Sequence, residues 1–194
     1  GSMSLPSAED LGLFRENYNF VGWNLYDDQN WSMYNADTVY NTGIAGTEGE
    51  TVTLYAAWLE KDRFTINFDA NGGTGAPAMG QAHEDETIVL SSVVPSRKNY
   101  TFLGWAADAG AQTAQYLPGD RFTMGKAVVT LYAVWKLNPS LIYDANGGTF
   151  TVPAERVYPA EGETVIVASF VPVFEGHVFD GWSEGSEAVS ATYR

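Results

Sequence analysis

Apolar and polar side chains alternate along much of the chain. Phe64, Ile66 and Phe68 alternate with Thr65 and Asn67, the period of a half-buried strand. Thr87–Leu90 is rich in β-branched residues and reads as a second strand, and Tyr100–Trp105 as a third. Val128, Thr130, Tyr132 and Val134 alternate with Val129, Leu131, Ala133 and Trp135. Both sets carry substance, which predicts a central strand covered on two faces. Asn71-Gly72-Gly73 accepts positive φ and predicts a turn or bulge after the first strand. Ser91–Ser96 has room for one helical turn before Pro95 interferes.

The same pattern returns along the chain. Aromatic-x-Gly-Trp occurs at Phe20–Trp23, Phe102–Trp105 and Phe179–Trp182. Leu-Tyr-Ala-x-Trp occurs at Leu54–Trp58 and Leu131–Trp135, and Asp-Ala-Asn-Gly-Gly-Thr at Asp69–Thr74 and Asp144–Thr149. Glu86-Thr87 is echoed by Glu163-Thr164. The offsets are 82 and 77, then 77, then 75, then 77, and the order of elements is kept. A unit of that length therefore repeats. We divide the chain into a partial repeat over 1–62, a complete repeat over 63–138 and a partial repeat over 139–194. The connectors Leu59–Asp62 and Leu137–Ser140 are short, which favours an elongated rod of adjacent modules.

The combination Asp-Ala-Asn-Gly-Gly-Thr, Glu-Thr, Tyr-x-Phe-x-Gly-Trp and Leu-Tyr-Ala-x-Trp resembles the Listeria–Bacteroides repeat, also called the internalin B-repeat. The resemblance implies a mostly β (α+β) fold, in which small β-grasp (ubiquitin-like) modules stand in tandem on a bacterial surface protein. It also implies a cell-wall or secreted location and no catalytic residue. Two departures stand out. His177 stands where the other copies have Tyr18 and Tyr100. The first copy runs 31 residues from Trp23 to Leu54, against 26 from Trp105 to Leu131, a five-residue insertion.

Charge narrows the partners. The chain has 194 residues, 24 acidic and 10 basic, for a net charge of −14. Phosphate backbones and anionic membranes repel such a chain, so nucleic acid is not expected. No apolar run reaches the length of a membrane span. Cys is absent, which removes disulfides and thiolate chemistry. Gly1-Ser2-Met3 resembles the scar of a cleaved tag and is set aside.

Candidate chemistry is sparse. Five of the six Trp fall at repeated positions and are expected in module cores. Trp31 has no counterpart and lies in or near the insertion, with Tyr26, Asp27 and Asp28 close by. These four residues are the candidate ligand contacts. The Asp-Ala-Asn-Gly-Gly runs lack the ligand series of a calcium loop and the Lys-Ser/Thr of a phosphate loop. Two His are too few for a metal cluster. His177 is expected to be structural, and His83, ahead of Glu84-Asp85-Glu86, to sit in a solvated acidic turn. No cofactor, metal or catalytic group is expected.

The expected function is a spacer or adhesive region. The alternative is binding of a glycan or a host or surface protein, through the Trp31 insertion or an exposed sheet edge. The first copy lacks the Asp-Ala-Asn-Gly-Gly-Thr and Glu-Thr elements, and the last lacks Leu-Tyr-Ala-x-Trp. Such complementary fragments raise head-to-tail association as an alternative to a monomer. Net charges of −8 over 1–62 and −6 over 139–194 oppose it. A second alternative is that residues 1–12 already cap the first module, and a third, the favoured one, is that the sequence cuts a longer protein in mid-repeat and its partial modules pack.

Overall fold

The computed structural model describes residues 2–41, 49, 51–151, 156–167, 169–185 and 192–193. Among the described residues the chain forms ten strands and no α-helix. They are β1 (Ser2–Ser4), β2 (Tyr18–Asn24), β3 (Val39–Asn41), β4 (Tyr55–Glu60), β5 (Arg63–Asp69), β6 (Gly80–His83), β7 (Thr87–Val89), β8 (Tyr100–Ala106), β9 (Arg121–Thr123) and β10 (Val129–Leu137).

The recurring motifs become paired strands. The Phe-x-Gly-Trp strands β2 and β8 run antiparallel to the Leu-Tyr-Ala-x-Trp strands β4 and β10. Phe20 faces Trp58 and Gly22 faces Ala57, so Val21 is the extra residue of a bulge. Phe102 faces Trp135 and Gly104 faces Val134, so Leu103 is its counterpart. The larger sheet has the order β6-β5-β10-β8, and the smaller ones pair β1 with β3, β2 with β4 and β7 with β9. β10 is thus interior, and Leu131, Ala133 and Val134 are buried. Both faces of this strand are covered, as its double alternation predicts.

The chain folds as two compact units: residues 1–68, 78–92 and 119–131, and residues 69–77, 93–118 and 132–194. In the first, Leu5, Trp23 and Tyr40 form a buried cluster against which Phe20, Tyr34 and Leu54 pack. In the second, Trp105 is fully buried, and Phe102 meets both Trp105 and Trp135 edge-on, at 5.2 and 5.5 Å.

Three expectations change. Ser2 and Met3, which were set aside, join Ser4 in β1, since backbone pairing with Val39–Asn41 does not depend on which side chains the strand carries. β1 pairs with β3 as β7 pairs with β9. Leu5 N–H bonds Thr38 O at 3.0 Å, just as Leu90 N–H bonds Asp120 O at 2.8 Å. The first copy therefore has the strand that its missing Glu-Thr motif seemed to deny it. Finally, Ser91–Ser96 has no helical turn, and Ser96 instead bridges Thr74. Val93, Val94 and Pro95 favour extended backbone. The fold is mostly β, without the helix of a β-grasp module among the described residues.

The Gly of the Phe-x-Gly-Trp motif has φ of 134°, 136° and 139° in its three copies. A Cβ on Gly104 would lie 2.5 Å from Tyr116 O. Gly104→Ala is expected to cost about 3 kcal/mol by urea denaturation, from strain and steric conflict together. Gly119→Ala, at φ 87° with open space around it, is expected to cost only about 1 kcal/mol. Equal costs would contradict this account of the bulge.

Candidate functional site

The motif residues that look chemical are engaged in their own turns. Asp69 Oδ1 accepts Asn71 N–H at 2.7 Å, and Asp144 Oδ1 accepts Asn146 N–H at 2.8 Å. Both Asn are left-handed, with φ of 47° and 46°. This is an Asx turn. The turn is fastened to β10 from two sides. Trp135 Nε1–H donates to Ala70 O at 2.9 Å, and Asn71 Nδ2 donates to Ala133 O at 3.0 Å. A Cβ on Gly73 would lie 2.6 Å from the Trp135 ring, which explains the second Gly.

The Glu of the Glu-Thr element has an equally local task. Glu86 Oε2 accepts His83 N–H and Glu163 Oε2 accepts Ala160 N–H, both at 2.8 Å. A third recurring turn precedes each Phe-x-Gly-Trp strand. There Arg15 lies over Tyr18 and Arg97 over Tyr100, at 3.8 and 3.9 Å from the ring centres. Phe174 and His177 replace that cation–π pair by a stack of 4.2 Å. His177 is therefore structural, on an exposed turn.

One repeated residue escaped the sequence reading. Trp23, Trp105 and Trp182 each bridge a Tyr, namely Tyr34, Tyr116 and Tyr193. The spacing is eleven residues each time, a signal that was available in the sequence. The bridge also relocates the insertion. Because Trp23–Tyr34 keeps the common spacing and β3 matches β9, the five extra residues follow Asn41. They fall in a stretch largely outside the described residues. Trp31 is thus a substitution in a loop shared by the first and middle copies, at the place of Thr113.

That loop carries the four candidate contacts. Tyr26 and Trp31 are 63% and 50% exposed. Asn24, fully buried, holds the loop: its Nδ2 donates to Trp31 O at 3.1 Å and its Oδ1 accepts Tyr26 N–H at 3.0 Å. Trp31 Nε1–H donates to Gln29 Oε1, and Gln29 Nε2 donates to Asp27 O. Asp28 takes φ 56°, and both Asp side chains face solvent. The result is an anchored loop offering two aromatic faces and two carboxylates, chemistry suited to stacking and hydrogen bonding with a polar ligand.

A second cluster surrounds His83, which is buried and not solvated as its acidic neighbours suggested. Its Nε2 lies 2.9 Å from Glu60 Oε1 and 3.0 Å from Arg63 Nε, and its Nδ1 lies 3.2 Å from Glu86 Oε2. A neutral ring can donate to Glu86 and accept from Arg63, whereas a protonated ring donates to both carboxylates. Around it, Lys61 pairs with Asp85 at 2.9 Å, Lys61 N–H bonds Asn17 O, and Glu84 N–H bonds Asp62 O. The two-residue connector Lys61-Asp62 is thereby pinned. Among the described residues, no group of three or more His, Asp or Glu is placed to hold a metal ion.

The arrangement defines a class of protein: tandem β modules whose recurring residues build their own turns and cores. The chain belongs to the Listeria-Bacteroides repeat domain family, whose model matches residues 64–134 and 140–194. It is similar to two proteins of Evansella cellulosilytica. One, named "Putative Gly-rich membrane protein", is 35% identical over 184 residues, which cover 90% of this chain and 20% of that protein. The other, named "Putative membrane protein", is 28% identical over 149 residues, 74% of this chain and 21% of that protein. The chain thus spans about a fifth of the length of the curated relatives it matches. No solved structure matches it.

The His83 bond holds the Glu60 carboxyl below the usual glutamate range, and the His83 N–H does the same for Glu86. Carboxylates depressed in the folded state add stability above the ordinary glutamate value and lose it as pH falls through the depressed one. Urea midpoints are therefore expected to fall steadily below about pH 4.5. His83→Ala is expected to lower the midpoint at pH 7 and flatten the acid slope. Parallel slopes in both proteins would contradict the cluster's role.

Proposed function

We propose that the chain is a non-catalytic spacer region of a bacterial cell-envelope protein, exposed on the cell surface. The observation that carries this reading is the use made of the repeated polar residues. Asp69, Asn71 and Glu86, the ones best suited to chemistry, each satisfy a backbone group or strand of their own copy. What recurs is thus structural, as a repeated spacer requires. The relatives' names, both of membrane proteins, support the envelope location. No helix among the described residues is long and apolar enough to cross a membrane. Net charge of −14 suits a solvated surface region.

In this proposal the modules are 1–62, 63–138 and 139–194, of β-grasp descent, joined end to end as a monomeric rod. The pinned connector Lys61-Asp62 supports stiffness at the first joint. Solution scattering tests it. A compact globule of this length has a radius of gyration of about 16 Å. A rod requires a value well above that, and a value near 16 Å would contradict the spacer reading.

The exposed Tyr26 and Trp31 favour a second reading, in which this loop binds a surface glycan or protein. Titration with cell-wall polysaccharide fragments, followed by Trp fluorescence, tests the glycan arm. The reading expects a saturable change that Trp31→Ala removes without altering the unfolding midpoint. No change, or one that survives the substitution, would contradict it.

A further inference from the structure

The loops that follow Trp23 and Trp105 share a frame and fill it differently. Each closes on a Trp–Tyr bridge, Trp23 with Tyr34 and Trp105 with Tyr116. Position by position, Asn24 matches Ala106, Tyr26 matches Asp108, Trp31 matches Thr113 and Met33 matches Gln115. Asn24 and Ala106 are both fully buried. Tyr26, Trp31 and Met33 are exposed, and so are Asp108, Thr113 and Gln115. Exposure therefore belongs to the loop itself, since the complete middle copy exposes the same positions.

The middle copy follows the ordinary rule, with Ala inside and polar groups outside. Its exposed side chains also shape the loop: Gln115 Oε1 accepts Ala107 N–H and Asp108 Oδ1 accepts Gly110 N–H, both at 2.8 Å. The first copy inverts the rule. It buries the amide of Asn24, whose desolvation is offset by bonds to Trp31 O and Tyr26 N–H. Those two bonds fix the backbone at both aromatic residues. The outer positions carry Tyr, Trp and Met, side chains enriched where proteins meet. Trp31 Nε1–H is spent on Gln29 Oε1 at 3.0 Å, so what the ring has left to offer is its face. Solubility alone selects neither change.

Charge selects the partner. Asp27 and Asp28 lie between the two aromatic residues in sequence, where the middle copy has Ala109 and Gly110. Residues 1–62 carry two basic side chains, and both are engaged elsewhere: Arg15 lies over Tyr18 and Lys61 pairs with Asp85. Carboxylates and aromatic faces both attract cations. Resting on the binding reading of this loop, we propose that Asn24–Tyr34 docks a protein segment in which Lys or Arg residues flank an apolar side chain. The apolar side chain packs against Trp31 and Met33, and the cations meet Asp27, Asp28 and the Tyr26 ring. Met33 favours a protein over a glycan, because its side chain gives sugar hydroxyls nothing to bond. A second copy of this chain is a poor occupant, since each copy carries a net charge of −14.

The test is a fluorescent peptide of alternating Arg and Leu, titrated into the intact chain by anisotropy at physiological ionic strength. Saturable binding is expected, with amide shifts confined to Asn24–Tyr34. Trp31→Thr with Met33→Gln installs the middle copy's residues and keeps the net charge. That pair is expected to weaken binding about tenfold or more, the loss typical of an aromatic anchor. Asp27→Asn with Asp28→Asn is expected to weaken it similarly and to flatten its salt dependence. Both pairs alter exposed side chains, and unchanged urea midpoints check that the fold is kept. A peptide of alternating Glu and Leu is expected not to bind. Absence of saturable binding, equal binding by either variant, or shifts elsewhere would overturn the proposal. So would a Trp31-dependent response to cell-wall polysaccharide with none to the peptide, since the loop would then be a glycan site. Failure with both would remove the binding reading as well.

Discussion

The indole N–H of Trp135 bonded to the carbonyl of Ala70 is the contact on which the middle copy turns. It joins residues 65 apart in sequence and fastens the Asp-Ala-Asn-Gly-Gly-Thr turn to the central strand. The same Trp ring meets Phe102, which in turn meets Trp105. A chain of large aromatic surfaces thus runs from the turn to the buried Trp. Aromatic contacts of this kind contribute about 0.5–1.5 kcal/mol each beyond the area they bury. The bulge in β8 sets the required register, because Phe102 faces Trp135 only if Leu103 is skipped.

This constraint explains which positions are kept and which vary between copies. The turn before each Phe-x-Gly-Trp strand needs a residue at positive φ, and Asn17, Asn99 and Gly176 all supply it. The pair above that turn needs two flat groups in contact, and Arg with Tyr or Phe with His both suffice. The β1 strand needs backbone pairing and one buried apolar residue, Leu5, matching Leu90. Its remaining identity is unconstrained, so Ser-Met-Ser can replace Thr-Ile-Val.

Much of this was legible from residue patterns. The alternation in Val128–Trp135 identified the central strand; of the five repeated Trp expected in cores, Trp23 and Trp105 are buried and Trp58, Trp135 and Trp182 only partly so. The short partners were not legible. Gly80–His83 carries little apolar periodicity and becomes a strand on the edge of the longer β5, and Arg121–Thr123 pairs with the equally short β7. His83 looked solvated because its neighbours in sequence are acidic. Its burial comes from Glu60 and Arg63, twenty or more residues away, which local pattern cannot reveal. Trp31 was rightly singled out as unmatched, but a gap counted only from Trp to Leu misplaced the insertion. The Trp-to-Tyr spacing places it after Asn41.

The central claim is that the Leu-Tyr-Ala-x-Trp strand, more than the motif beside it, brings a copy to full stability. Trp105 N–H and Trp182 N–H make the same bond, to Tyr116 O at 2.8 Å and Tyr193 O at 2.9 Å. Within residues 1–194, the copy of Trp105 includes that strand and the stretch that holds Trp182 does not. Native-state amide exchange at these two positions is the most direct test. Trp105 is expected to exchange at least about a hundredfold more slowly, because its opening requires loss of the central strand. Equal protection at Trp105 and Trp182 would contradict the account.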